Sequence, residues 1–164
     1  MTVAEYNNGI PLWADDVMRF ASRCSDSSLD AEDAVQEAFA SLWQHRSDVA
    51  ADKGKGYLLS AAYRHLMRCF RHRSVVARHA QFLVPEGQVR PDEHFDLKEA
   101  LAASMKQLPP VQRAILHLRD VEVYSYHDIA AELQISDDQV QVYLFRARIA
   151  MRKHLSLLGY NPQS

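Results

Sequence analysis

Apolar residues recur along this chain with a period near 3.6, in blocks set apart by short polar stretches, and that spacing predicts helices throughout. Leu12, Trp13, Val17, Phe20, Ala21 and Cys24 mark one side of a first helix over 12–24. Turn and cap residues follow, and Asp30 can cap a second helix over 31–44 with Val35, Ala38, Phe39, Leu42 and Trp43 as its stripe. A loop over 48–56 leads to a third helix, 57–72, whose Leu58, Ala61, Ala62, Leu66, Cys69 and Phe70 can face inward. Residues 74–96 hold two prolines, one glycine and no sustained period, so they read as a flexible linker with a short helical start.

The pattern resumes with Leu97, Leu101 and Met105, stops at Leu108-Pro109-Pro110, and restarts with Val111, Ile115 and Leu118, Pro110 being suited to a first helical position. Two more helices follow, over 126–133 and 137–155, separated by Gln134-Ile135-Ser136. Ser136 can cap the second of them, and Gln139 three residues on completes a capping box. Ala130 falls where the pair must approach closely, and Ile129, Leu133, Ile135 and Val140 can fill a small core between them. This is the signature of a helix-turn-helix, with an ordinary helical hairpin as the plain alternative. The expected fold is all-α: a three-helix domain over 1–73, a linker over 74–96, and a four-helix domain over 97–164.

Composition adds little until the charges are placed. The net charge is −2, yet residues 1–52 hold 3 Lys/Arg against 10 Asp/Glu, and 53–85 hold 7 against none. Residues 86–138 turn acidic again, 5 against 11, and from 139 onward there are 4 basic residues and no acid. Two basic blocks, each following an acidic one, suggest two nucleic-acid surfaces on a protein that offers an acidic surface to another partner. With no run of about 18 apolar residues, no membrane insertion is expected. The start lacks the basic-then-apolar order of a signal peptide, so the cytoplasm is the default location. Cys24 and Cys69 stand alone and read as small buried hydrophobes.

Candidate chemistry follows the same blocks. The polar face of the second helix carries Glu32, Asp33, Gln36 and Glu37. Acids in a first turn need only the helix dipole to explain them, which makes Glu37, further in, the better partner contact. Arg64, Arg68 and Arg71 line one face of the third helix, interleaved with Tyr57 and Tyr63. Rings beside cations are what stacking on unpaired bases requires, although a single Tyr there would more simply pack between helices. Arg146, Arg148, Arg152 and Lys153 follow the helix-turn-helix. His65, Cys69 and His72 share a side of the third helix that zinc could exploit, which leaves a metal-dependent hydrolase as a weak alternative. No P-loop, G-x-S-x-G or G-x-G-x-x-G occurs, so no catalytic residue, cofactor or small-molecule substrate is expected.

Two stretches resemble the bacterial sigma factors. DAEDAVQEAF (30–39), followed by the aromatic and basic helix, is similar to their region two. QLPPVQRAILHLRDVE (107–122), SYHDIAAELQIS (125–136) and RARIAMR (146–152) are similar to their region four. Two such regions joined by a short linker resemble the extracytoplasmic-function (ECF) group, and the likeness covers nearly the whole chain. It implies a transcription initiation factor whose Asp30, Glu32, Asp33, Gln36 and Glu37 bind core RNA polymerase. Tyr57, Tyr63, Arg64, Arg68 and Arg71 would then help melt promoter DNA. The helix capped by Ser136 would read a second promoter element, with Gln139, Gln141 and Tyr143 discriminating bases and Arg146, Arg148 and Arg152 anchoring. An anti-sigma factor is a further implied partner. Departures from the pattern are Val123 and Gln134, where the family commonly has Gly, and Tyr57 in place of a usual Trp. The other class of function left open is a two-domain DNA-binding regulator that acts without core polymerase.

Overall fold

The computed structural model describes residues 1–80 and 96–161, with side chains to residue 74 in the first span. Seven α-helices are described: α1 (Val3–Cys24), α2 (Ser28–His45), α3 (Gly54–Ala80), α4 (Leu97–Lys106), α5 (Pro110–Asp120), α6 (Tyr126–Leu133) and α7 (Asp137–Leu157). No strand occurs among the described residues. Most of the expected linker, 81–95, lies outside them.

The first bundle differs from expectation at its helix starts. α1 begins well before Leu12, because Thr2 and Glu5 form a reciprocal capping box at its head. Trp13 lies across Gly9 and Gly54, where any Cβ would collide with the indole, so these glycines let α1 and the start of α3 meet around one ring. Leu12, expected in the core, is 71% exposed. α2 is capped by Ser27, which leaves Asp30 inside the first turn rather than at the cap. α3 continues to Ala80, past the expected end at His72. Val17, Phe20, Ala34, Leu42, Leu58 and Leu66 are fully or almost fully buried where the three helices converge.

In the second bundle α5 packs on α7 and also on α1 of the first bundle. Every residue from Gln112 to Leu118 is therefore buried, charged ones included. α4 turns Ala100 and Ser104 inward and leaves Leu97 and Leu101 exposed, contrary to the expected stripe. Pro110 occupies the start of α5 as its fixed φ favours. The α6–α7 turn passes through Gln134 at φ 56°, and the chain before α6 through Val123 at φ 58°. These are the two positions where glycine would carry no Cβ penalty.

Candidate polymerase and promoter interface

On α2, Glu32, Asp33, Gln36 and Glu37 are all exposed, because Ala31, Ala34, Val35 and Ala38 take the inward positions. Asp30 is half-buried and hydrogen-bonded by the Arg73 guanidinium of α3. Glu37 lies 3.8 Å from Arg68, an exposed pair worth little by itself. The acidic face of α2 and the basic face of α3 thus adjoin and partly neutralise each other.

Arg64, Arg68 and Arg71 are exposed along α3, as their spacing predicts. The two tyrosines are placed otherwise. The Tyr57 hydroxyl is 2.7 Å from Ser41 Oγ and 3.3 Å from His45 Nδ1, which ties α3 to the end of α2. Tyr63 is 9% exposed, and burial pushes its phenol up to about 12. Neither ring is presented as an open stacking platform in this arrangement. His65, Cys69 and His72 form no ligand set, since no group of three His, Cys, Asp or Glu side chains that could hold a metal is found among the described residues.

The helix-turn-helix is built as the spacing predicts. Ser136 Oγ accepts from Gln139 N at 3.1 Å, and Gln139 Oε1 accepts from Ser136 N at 3.0 Å. Both residues are therefore occupied in starting α7, and Gln139 has no free oxygen for bidentate recognition of a base. Val140, Leu144 and Ala147 are buried, and Tyr143, one turn over on the same side, packs against that core rather than facing out. Of the three residues expected to discriminate bases, Gln141 alone stands exposed and outside the cap. Arg146, Arg148 and Arg152 are exposed, with Arg148 reaching Asp120 at 3.2 Å.

Sequence reasoning missed a polar seam between the bundles. Arg113 of α5, 4% exposed, donates to Leu108 O and Lys106 O at 2.9 Å each and to Asp26 Oδ1 at 2.8 Å, beyond the end of α1. Lys55 of α3 sits 2.8 Å from Asp16 of α1 and 2.6 Å from Glu122. Partial burial opposes its charge, yet hydrogen bonds to Asp16 and Glu122 hold its ammonium above its ordinary range. Ser60 of α3 donates to Glu132 O at 3.2 Å and to its carboxylate. His117 is buried, its Nδ1 3.1 Å from Arg23 and its ring edge-on to Phe20. Burial, with Arg23 adding repulsion, lowers its pKa from 6.5 to about 4. The signal lay in QRAILH, where polar residues share the face of α5 opposite Ile115 and Leu118, a pattern that a solvated face produces equally.

An acidic helix beside a basic one, joined in the same chain to a capped helix-turn-helix, defines the class of DNA-binding proteins that work in transcription. Comparison with known proteins makes this specific. Residues 12–80 match the family model "Sigma-70 region 2" and residues 98–151 match "Sigma-70, region 4". The chain is 31% identical over 148 residues to the ECF RNA polymerase sigma factor SigL of Mycobacterium tuberculosis, covering 86% of this chain and 83% of that protein. It is 29% identical over 150 residues to the ECF RNA polymerase sigma factor SigE of Mycolicibacterium smegmatis, covering 87% of this chain but 58% of the relative. A solved structure of the sigma factor RpoE in complex with the anti-sigma factor NepR, from Bartonella quintana, shares the fold. Its TM-score is 0.77 at 19% identity, over 94% of this chain and 98% of that one. The chain belongs to the ECF sigma factors of the sigma-70 family.

Proposed function

We propose that this chain directs transcription initiation by binding core RNA polymerase through α2, holding opened promoter DNA on α3 and reading an upstream duplex element with α7. One observation carries the reading: exposed acids on α2 and exposed cations on α3 share the first bundle, while the second holds a capped helix-turn-helix. Asp30, Glu32, Asp33, Gln36 and Glu37 form the core-binding face, and Arg64, Arg68 and Arg71 attract the single strand. Opening DNA costs a few kcal/mol per unstacked base, and cations on phosphates with rings on bases offset it. Tyr63, which lies near Tyr143 of α7, joins that task once the seam between the bundles opens, and Tyr57 joins it by letting go of Ser41 and His45 within its own bundle. Ser136 and Gln139 act by fixing the start of α7; Gln141, Arg146, Arg148 and Arg152 touch DNA. The two working units are the bundle ending with α3 and the one from residue 97.

No covalent step is needed, so the protein is no enzyme and takes no cofactor. It works in the cytoplasm, where polymerase and promoter are, and no described helix is long and apolar enough to cross a membrane. An anti-sigma factor is its natural regulator, a partner that the RpoE structure contains. The test is co-elution with purified core polymerase together with run-off transcription from a selected promoter. A chain that binds duplex DNA tightly yet neither joins core nor supports a defined start would instead be a regulator acting alone.

A further inference from the structure

α7 exposes apolar side chains where a solvated helix would carry polar ones. Phe145 is 68% exposed, Ile149 47% and Val142 45%, at i, i+3 and i+7 from residue 142. With about 100° per residue, Phe145 is turned roughly 100° from buried Leu144 and roughly 140° from buried Val140, and Gln141 and Arg152 share its face. These side chains border an open groove of about 540 Å³ that Tyr126 of α6 closes on one side. An exposed apolar patch of this kind marks a contact surface.

We infer that Val142 and Phe145 read the 5-methyl groups of thymines in the upstream promoter element, beside an adenine read by Gln141. This rests on the sigma-factor reading above, in which α7 enters the major groove. An A·T pair presents adenine N6 and N7 together with the thymine methyl on one edge. That combination matches an amide flanked by apolar carbon, and each of these pairings is well suited to discriminating bases. Arg146, Arg152 and Lys153, exposed on the same and adjoining sides of α7, supply the charge complement to the phosphates. Removing one methyl from an apolar contact is worth about 0.8 kcal/mol, or roughly fourfold in affinity.

The experiment uses reconstituted holoenzyme and a promoter selected from random DNA by that holoenzyme. Each thymine of the upstream element is replaced in turn by deoxyuracil, which keeps base pairing and removes only the methyl. Wild-type holoenzyme is expected to lose about 3- to 10-fold in binding at one or two positions. Phe145→Ala holoenzyme should bind the thymine duplex that much more weakly and become indifferent to deoxyuracil there. Phe145→Leu should keep part of the discrimination. Since Phe145 lies outside the core, circular dichroism should show unchanged folding. Indifference of the wild type at every position, or undiminished discrimination by Phe145→Ala, overturns the inference. If Phe145→Ala instead abolishes binding to a protein partner while deoxyuracil has no effect, the face serves that partner and the inference is wrong. Failure of the sigma-factor reading looks different, because no promoter would then be selected with core polymerase at all.

Discussion

α3 and α7 are both long basic helices, α3 without acids and α7 without any beyond Asp138, yet the fold treats them differently. On α3, Arg73 is bound by Asp30, Arg68 faces Glu37, Tyr63 is buried and Tyr57 holds Ser41. On α7, among the described residues, Arg148 alone of the cations meets an acid, Asp120, and Phe145 projects into solvent beside exposed Arg146 and Arg152. Basic composition alone therefore does not define a DNA surface. Cations that adjoin a neighbouring acidic helix can be partly structural, whereas an exposed apolar stripe among exposed cations adds nothing to the described core. α3 is engaged by its surroundings, and the outer face of α7 stays exposed.

Opening the seam is the strongest way to break this contrast. Arg113→Ala removes three hydrogen bonds from a buried guanidinium and strands two carbonyl oxygens, which should cost about 2–4 kcal/mol. Denaturant melts should show that loss, and backbone hydrogen exchange around Tyr63 should respond before the rest of the first bundle unfolds. Duplex binding by α7 should survive wherever the second bundle remains folded. Acid acts on the same seam more gently. A His117 freed from the seam binds a proton below pH 6.5, whereas the closed form resists until about 4, so closure weakens as pH falls across that window. The full effect is at most about 3 kcal/mol, from 1.4 kcal/mol per unit. Asp16, Arg19 and Arg23 of α1, Lys55 of α3 and Glu122 face the ring, and Glu122, 3.8 Å from Nε2, would offset part of the loss. Hydrogen exchange of α5 across pH 7 to 4, with His117→Gln as control, checks this; a flat profile in the wild type contradicts it. The smallest effect concerns backbone strain. Val123→Gly and Gln134→Gly should each stabilise by about 0.5–1 kcal/mol, relief of the left-handed conformation exceeding the added chain entropy. Thermal melts read that change, and neither substitution should alter the contrast between α3 and α7.

Much of the fold was legible because local signals agreed. The Ser136–Gln139 capping box, Pro110 at the start of α5 and the burial of Ile129, Leu133 and Val140 all lie where the sequence expects them. The first turns of α1 escaped notice because Asn7, Asn8, Gly9 and Pro11 look like breakers. Packing of Trp13 onto Gly9 and Gly54 is a tertiary reason that no local window contains. The candidate site was legible where exposure follows from helix phase alone, as for the α2 acids and the α3 arginines. It was less legible where two roles compete for one residue. Gln139 serves the cap, Tyr143 falls on the core side of α7, and Tyr63 lies inward on α3. Phe145 and Val142 were passed over because apolar residues on a helix suggest a core until the structure leaves them uncovered. The seam of Arg23, Lys55, Arg113 and His117 depends on which helices meet, and a polar helix face does not announce its partner.

The division of labour between α3 and α7 is tested most directly by transcription with reconstituted holoenzyme on two templates, one fully duplex and one with the start region already unpaired. Arg64→Ala with Arg71→Ala, and separately Arg146→Ala with Arg152→Ala, are compared with wild type on both. The account predicts that pre-opened DNA restores initiation by the α3 variant and leaves the α7 variant defective, with its salt dependence reduced by about two phosphate contacts. Equal rescue of both variants, or rescue of the α7 variant alone, would contradict it.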